Sequence, residues 1–339
     1  MKKTILPLSL IVLLCSLSLL TSCKKKQYLF NEGYVFGTVY HITYLSSKDL
    51  KPEIEAELQK FDNALSMFNP NSTLSRINKS GTEKIDLNQE PWTLKVIKES
   101  IRISQLTHGA FDITVAPLVN AWGFGFKNLD NVNQHKIDSL KQFVGYKLLH
   151  LDKGILTKAD ARVQLDASAV AKGYACDVIA AFFRKNGIDD FLVEIGGEMT
   201  ISGKNPKGSD WRIGVNKPVD DSTSTNMEWD LKLTLTDKAI ATSGNYRKFY
   251  EKNGKKYAHT IDPATGYPVQ HSLLSATVIA NDCLTADALA TSFMVMGVDS
   301  AMSIAERLPN VEGLFIYNDG GKENKTCHTS GIPAYQKAE

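Results

Sequence analysis

The chain has few cysteines, and their spacing is not that of a functional pair. Five occur among 339 residues, and none forms a Cys-x-x-Cys pair, so a zinc ribbon or a thioredoxin-type redox site is not indicated. Cys176, Cys283 and Cys327 lie far apart in the sequence. The apolar, helical surroundings of Cys176 and Cys283 predict buried free thiols rather than a required disulfide.

The sequence also lacks a charge excess, internal repeats and low-complexity tracts. Its 39 Lys and Arg residues nearly balance 37 Asp and Glu residues, which gives a net charge of +2. A chain this close to neutrality gives no reason to expect nucleic-acid binding. No Gly-x-Gly-x-x-Gly sequence occurs, so a Rossmann dinucleotide site is not indicated.

The first 23 residues predict export. Two lysines precede an apolar stretch over 5–20, and Leu20-Thr-Ser-Cys23 follows. The stretch is short for a membrane-spanning helix and typical of a signal peptide, which we place at 1–22. The last four residues match the bacterial lipobox, so we expect an acylated Cys23 and a lipid-anchored chain facing the periplasm, with the inner membrane favoured over the outer. The alternative is a plain signal peptide that happens to contain Cys23.

Strand and helix patterns occur in mixed order rather than in strict alternation. This predicts an α+β fold with mixed or antiparallel sheets and packed helices, in one domain with two lobes. We place a tether at 23–32, the domain at 33–320 and a C-terminal tail at 321–339. The predicted strands are 34–45, 163–165, 191–195, 211–215, 228–235, 275–280 and 311–317, and the predicted helices are 52–67, 92–107, 168–186 and 285–296.

Two of these helices begin with residues suited to binding an anion or a cation. Asp166 and Lys172 lie where a strand is followed by a helix, whose free N–H groups suit a phosphate; an ordinary helix cap on an alanine-rich core helix is the alternative. Asp287 and Thr291 are four residues apart, which puts a carboxylate and a hydroxyl on one helix face. Such hard oxygen ligands suit Mg²⁺, although a solvated Asp near a helix start is the commoner meaning of this pattern.

Three further segments have the composition of a ligand site. Gly196-Gly197 directly after a strand permits close approach of a ligand, or makes a simple turn. His259 precedes a turn that contains Asp262, and the two residues could act as a general base and its partner, or merely fix the turn. The segment from Ala110 to Pro117 combines an aromatic ring with an acid and a hydroxyl, which suits a wall of a site for a flat cofactor. A corner of the hydrophobic core is an equally good interpretation of the same segment.

In this order and spacing, the segments resemble the ApbE family of FAD:protein FMN transferases. The resemblance extends from about Gly33 to about Tyr317, which is nearly the whole chain after the predicted signal peptide. Besides the segments above, the matching motifs are Phe36-Gly37-Thr38, Ser66-Met-Phe68-Asn-Pro70, Ser72, Leu74-Ser-Arg-Ile-Asn78, Phe111-Asp112-Ile-Thr114 and Ala241-Thr-Ser243-Gly244.

The resemblance implies a fold, a reaction and a set of site residues. It implies Mg²⁺ held by Asp287, Thr291 and the backbone carbonyl of Ala169, with Ala290 standing where some relatives carry a second acid. It implies an FAD site lined by eight residues: Phe36, Phe68, Ala110, Phe111, Asp112, Asp166, Lys172 and Ile261.

The implied reaction attaches FMN from FAD to a Ser or Thr hydroxyl of a partner protein and releases AMP. The hydroxyl needs a base, for which His259 is the candidate, with Asp262 as its orienting partner. The implied acceptors are subunits of membrane redox complexes. Hydrolysis of FAD to FMN and AMP remains an alternative because it uses the same residues and the same metal. A non-catalytic FAD-binding lipoprotein, with FAD binding but no metal-dependent turnover, is the other alternative.

Overall fold

The computed structural model describes residues 25–125, 132–216, 229–245, 249–252 and 255–336. The predicted signal peptide and Cys23 lie outside these ranges. Within them, no helix combines the length and the apolar character that crossing a membrane requires.

Eight α-helices lie in the described ranges, and the four that the sequence predicts begin within three residues of the predicted positions. They are α1 (Lys51–Leu65), α2 (Thr73–Lys79), α3 (Pro91–Leu106), α4 (Ala116–Ala121), α5 (Gln134–Lys141), α6 (Ala171–Lys185), α7 (Cys283–Met296) and α8 (Val298–Ala305). Short 3-10 turns lie at Tyr146–Leu148 and Ile332–Tyr335.

Within the described residues, the strands form one large sheet and three small ones. The large sheet has the order β1-β2-β6-β7-β10-β13-β14-β15. Its strands are β1 (Gln27–Val35), β2 (Thr38–Ser46), β6 (Phe191–Ile195), β7 (Glu198–Ser202), β10 (Lys238–Gly244), β13 (Leu273–Ala280), β14 (Glu312–Tyr317) and β15 (Lys325–His328). The small sheets are formed by β3 (Ile85–Asp86), β4 (Leu149–Asp152) and β5 (Ile155–Lys158), by β8 (Trp211–Asn216) and β9 (Trp229–Leu235), and by β11 (Phe249–Lys252) and β12 (Lys255–Ala258).

All pairs of the large sheet are antiparallel, so the predicted α+β class with antiparallel sheets is confirmed. One face packs on the helices, where alternate residues of β2, such as Ile42, and of β6, such as Val193, are fully buried. The opposite face is covered at β7, β10, β13 and β14 by the β8–β9 hairpin, through contacts such as Ile201 with Trp211. Burial alternates along β2 and β6, which have a packed layer on one side, whereas β13 and β14 are buried along most of their length because both of their faces are covered.

Three predicted elements differ from those in the structure. The strand predicted at 34–45 is two strands, because Phe36 and Gly37 adopt positive φ angles of 51° and 76° and turn the chain back. Residues 163–165 are not a strand; Asn78 holds them instead, through hydrogen bonds to both backbone groups of Leu165. The helix predicted from residue 168 begins at Ala171.

The ends of the domain contribute to the large sheet. Strand β1 begins at Gln27, inside the predicted tether, and β15 pairs with β14 inside the predicted tail. Ile332 is 1% exposed and packs beneath the β8–β9 hairpin. The sheet therefore extends beyond the range 33–320 at both ends.

A buried lysine fixes the chain that leads into the site. Lys158 is 1% exposed, and its Nζ donates to the carbonyls of Ile77, Ser80, Ala161 and Val163 at 2.9 to 3.3 Å. These contacts tie the end of α2 to the segment that precedes Asp166.

Candidate functional site

Helices α6 and α7 approach each other closely at Gly173. An added Cβ there would lie 2.3 Å from the carbonyl oxygen of Cys283 and 2.8 Å from Cβ of Asp287. The absence of a side chain lets the backbone N–H of Gly173 donate to Asp287 Oδ2 at 3.0 Å. One of the N–H groups at the start of α6 is thus used to orient the carboxylate that the sequence assigns to the metal.

Lys172, Glu198 and Asp287 form one ionic cluster beside this contact. Lys172 Nζ lies 3.0 Å from Glu198 Oε1 and 4.0 Å from Asp287 Oδ2. Glu198 and Asp287 are each 4% exposed, whereas the side chain of Lys172 is 28% exposed. Lys172 is therefore the member of the cluster whose side chain solvent or a ligand can reach in part.

The cluster has two buried carboxylates and one ammonium. Burial removes the water that stabilises a carboxylate and raises the pKa of both Glu198 and Asp287, while Lys172 acts in the opposite direction. Burial alone would lower the pKa of Lys172, but the charges of Asp287 and Glu198 outweigh it and raise that pKa above its usual value. Glu198 Oε2 is buried and has no hydrogen-bond partner. The cluster has one more negative than positive charge when all three groups are ionised, and a further cation would balance it.

Two tight turns bring neighbouring strands against this cluster. Gly196 and Gly197 connect β6 to β7 and have φ angles of 64° and 104°. The glycine pair thus forms a turn, and its backbone angles are ones that favour glycine. A Cβ on Gly196 would lie 2.9 Å from Thr38 Cγ2 and 3.2 Å from Lys172 Cδ. The glycine therefore lets the β6–β7 turn pack directly on the stem of Lys172, and the start of β2 packs on the turn.

Phe36 lies at the neighbouring β1–β2 turn. Its φ of 51° is uncommon for a residue with a side chain, and its ring centroid is 5.5 Å from that of Phe61 on α1. The turn conformation is retained at a cost in backbone strain, which is typical of residues held for a function.

Asp112 and Asp166 lie on two segments that run side by side. The backbone N–H of Asp166 donates to the carbonyl of Ile113 at 2.7 Å. The Asp112 carboxylate accepts bonds from Thr114 and from the backbone N–H of Tyr146. The Asp166 carboxylate accepts one from the backbone N–H of Ser168. Burial raises the pKa of both acids, and both hold local backbone in place.

The segment from His259 to Gly266 packs on α4 and α5. Ile261 is 6% exposed in a small apolar cluster with Trp122 and Ile137. The ring of His259 lies 6.4 Å from that of Phe124, edge to face. Asp262 Oδ1 accepts the N–H of Ala264 at 2.8 Å, so its carboxylate fixes the turn, as in the plainer of the two sequence interpretations.

The remaining predicted residues differ in exposure. Phe68 is 80% exposed and Phe111 is 3% exposed. Ala169 and Thr291 are half-buried, at the start of α6 and on the face of α7 one turn after Asp287. Lys172 and Asp287 lie near each other, with 4.0 Å between Lys172 Nζ and Asp287 Oδ2.

A cleft of about 550 Å³ lies elsewhere, between α2, α4 and α5. None of the predicted site residues lines it, although Met67 adjoins Phe68 and Gln164 is two residues from Asp166. The chemistry of the buried ionic cluster, rather than the size of this cleft, identifies the candidate site.

Sequence reasoning missed Glu198 and Asp177. Glu198 follows the glycine pair, and only the β6–β7 turn shows that its side chain reaches Lys172. Asp177 lies on α6 and accepts the first backbone N–H groups of α7, from Cys283 and Leu284, each at 2.9 Å. Cys176 and Cys283 are buried free thiols, as predicted.

Comparison with known proteins identifies the family. The model of the ApbE family matches residues 36–315. The chain belongs to the ApbE family. A relative in Vibrio cholerae, named FAD:protein FMN transferase, is 38% identical over 306 residues, which cover 87% of this chain and 90% of the relative. A relative of the same name in Haemophilus influenzae is 35% identical over 339 residues, covering 96% of each.

Solved structures of ApbE proteins have the same fold. The flavin transferase ApbE from Vibrio cholerae superimposes with a TM-score of 0.82 at 35% identity, covering 91% of this chain and 99% of that one. The apo flavinyl transferase ApbE from Pseudomonas stutzeri gives a TM-score of 0.82 at 29% identity, covering 94% and 100%. The family and the fold predicted from the sequence are thereby confirmed.

Proposed function

We propose that this chain is a magnesium-dependent FAD:protein FMN transferase that releases AMP. The observation that carries the proposal is the ionic cluster of Lys172, Glu198 and Asp287, in a chain whose relatives are named for this activity. A lysine with a partly exposed side chain beside two buried carboxylates suits a substrate that brings both a pyrophosphate and a divalent cation.

The oxygen donors at this site suit Mg²⁺. In the described part of the chain, no three His, Cys, Asp or Glu side chains cluster as metal ligands. Asp287, Thr291 and the carbonyl of Ala169 would hold Mg²⁺, which needs only one or two carboxylates when phosphate and water complete its shell. Bound there, the ion would neutralise pyrophosphate charge and polarise the phosphorus under attack.

The residues of the chain then divide the remaining tasks. Lys172 donates to the pyrophosphate, and His259 takes the proton from the acceptor hydroxyl. The acceptor oxygen forms a bond to the phosphorus of the FMN half, and the bond from that phosphorus to the oxygen of AMP breaks. AMP leaves with the electron pair, and the FMN remains attached to the acceptor as a phosphoester.

The acceptors we propose are subunits of membrane redox complexes. A lipid on Cys23 would hold the enzyme on the membrane that carries them, which raises its effective concentration at the acceptor. The exported, periplasm-facing location belongs to the same proposal.

Release of AMP with and without an acceptor domain tests the function. Purified protein is incubated with FAD and Mg²⁺, and AMP, free FMN and acceptor-bound flavin are quantified. Transfer predicts AMP in equal amount to acceptor-bound flavin, little AMP without acceptor, and loss of both on chelation of Mg²⁺. Equal amounts of AMP and free FMN without acceptor would identify a pyrophosphatase instead, and FAD binding with no AMP would identify a carrier.

A further inference from the structure

Glu198 makes contacts that no role above explains. It lies at the first position of β7, is 4% exposed and forms the shorter ionic contact with Lys172, at 3.0 Å. Its second oxygen is buried without a hydrogen-bond partner. A buried carboxylate with an unpaired oxygen costs folding free energy, so its position calls for a functional reason.

Asp287 lies farther from the same ammonium than Glu198 does. Lys172 Nζ is 4.0 Å from Asp287 Oδ2, and the same oxygen already accepts the N–H of Gly173. In the described part of the chain, both contacts of Asp287 thus involve Oδ2. Without Glu198, the ammonium of Lys172 would have one carboxylate left to pair with, and that carboxylate is Asp287.

We propose that Glu198 is a positioning residue that holds Lys172 away from Asp287, so that Asp287 remains free to bind a divalent cation. The inference rests on the proposed metal-dependent function. It also gives a reason for two acids around one lysine. Glu198 satisfies the ammonium, while the charge of Asp287 is kept for the metal, and the remaining protons of Lys172 stay available for a phosphate.

The pairing of Lys172 with Glu198 matters because the proposed metal site has only one charged ligand. Of the groups proposed to hold the metal, the Asp287 carboxylate, the Thr291 hydroxyl and the carbonyl of Ala169, only Asp287 carries a charge. A lysine that paired fully with Asp287 would compete with the metal for that one charge. Glu198, reaching in from a neighbouring strand, removes the competitor.

The test measures Mn²⁺ affinity of the full chain without FAD, by electron paramagnetic resonance of free Mn²⁺. Glu198→Gln keeps the size and one acceptor oxygen but removes the charge, and we expect the Kd for Mn²⁺ to rise about 10- to 100-fold. The matched control is Glu194→Gln. Glu194 lies across the same turn and pairs with His41 and the N–H of Gly197. Glu194→Gln should therefore bind Mn²⁺ with a Kd within twofold of that of wild type.

A second variant separates positioning from a merely structural role. Lys172→Met removes the competitor, and we expect Mn²⁺ to bind more tightly than to wild type. In that background, Glu198→Gln should lose most of its effect, because Glu198 acts through Lys172. The inference would be overturned if Glu198→Gln raised the Kd for Mn²⁺ as much in the Lys172→Met background as in wild type, or if Lys172→Met alone bound Mn²⁺ more weakly than wild type.

The outcomes also distinguish this inference from the proposed function. If wild type binds neither Mn²⁺ nor Mg²⁺, with or without FAD, the metal-dependent function fails. If wild type binds Mn²⁺ and Glu198→Gln binds it equally well, only the role of Glu198 is refuted. Should Glu198→Gln not fold, the Lys172→Met measurement still decides, since its predicted direction is opposite to that of a simple structural loss.

Discussion

At position 287 a carboxylate lies between the backbone of α6 and the ammonium of Lys172, almost without solvent contact. Asp287→Asn keeps an oxygen that accepts the Gly173 N–H but removes the charge. We expect kcat/KM for FMN transfer to fall at least about 100-fold. The free energy of unfolding should fall little or rise, because a buried acid is replaced by a neutral group.

The matched control for this prediction is Asp282→Asn on the same helix. Asp282 is the N-cap of α7 and accepts the N–H of Thr285, and Asn is an equally good cap. Its activity and stability should match wild type. Full activity of Asp287→Asn, measured by AMP release, would remove Asp287 from the site.

At position 173 the close approach of two helices leaves no room for a methyl group. Gly173→Ala would place Cβ 2.3 Å from the backbone carbonyl of Cys283, which cannot rotate away. We expect the free energy of unfolding in urea to fall by roughly 1 to 3 kcal/mol and activity to fall with it, because α7 carries Asp287. In Gly321→Ala the nearest atoms would be 3.7 Å away, so that variant should be neutral, and an equal loss in both would contradict the packing argument.

These residues show how far single positions are predictable. Lys172 and Asp287 have recognisable local patterns, and the structure places them in one cluster. Glu198 has no local pattern of its own. Its side chain reaches Lys172 only because a two-residue turn pairs β6 with β7 and because Gly196 has no Cβ to hold the turn away.

At the scale of elements, Asp177 links α6 to the start of α7 and makes folding depend on pH. Its carboxylate accepts N–H groups from Cys283 and Leu284 and the hydroxyl of Thr200. Burial raises its pKa from 3.8 to about 6. The folded chain therefore holds this proton more tightly than the unfolded chain, and the associated stability is complete below pH 3.8 and is lost as the pH rises through 6.

This shift corresponds to roughly 3 kcal/mol between those limits. We expect the difference in unfolding free energy between wild type and Asp177→Asn to move in favour of the variant by up to this amount from pH 4 to pH 7. Chemical denaturation at several pH values measures it. A difference that does not change with pH would show that Asp177 titrates normally in the folded chain.

Element prediction succeeded where one periodicity ran uninterrupted. Helix α3 was predicted at 92–107 and spans Pro91–Leu106, and β6 was predicted at its observed limits. It failed where backbone conformation decided the structure, as at Phe36, whose positive φ is not expected of an aromatic residue. The three residues Val163-Gln164-Leu165, apolar at both ends, were taken for a strand, yet they are held by the side chain of Asn78.

At the scale of the molecule, the proposed lipidation site and the large sheet lie close together in the sequence. Cys23 is four residues from Gln27, where β1 begins, so an acylated Cys23 would hold the domain near the membrane surface. We expect Cys23→Ser to move the protein from the membrane to the soluble fraction, with transfer to a soluble acceptor domain unchanged. Retention in the membrane fraction after carbonate washing would contradict the anchor.

The order of strands in the large sheet was not predictable from the sequence. Strand β2 lies beside β6, and β7 beside β10, with long stretches of chain between the partners. Hydrophobic alternation specifies which face of each strand is buried but not which strand is its neighbour. The candidate site depends on this order, because Glu198 belongs to β7 and Lys172 and Asp287 belong to the two helices packed on the sheet.

The most direct test of the central claim is the mass of an acceptor protein after incubation with this chain, FAD and Mg²⁺. Transfer predicts an increase equal to one FMN joined through a phosphoester, located on a Ser or Thr by peptide mass spectrometry and absent with Asp287→Asn. An unmodified acceptor, tested over several subunits of membrane redox complexes while FAD is cleaved to free FMN, would contradict it.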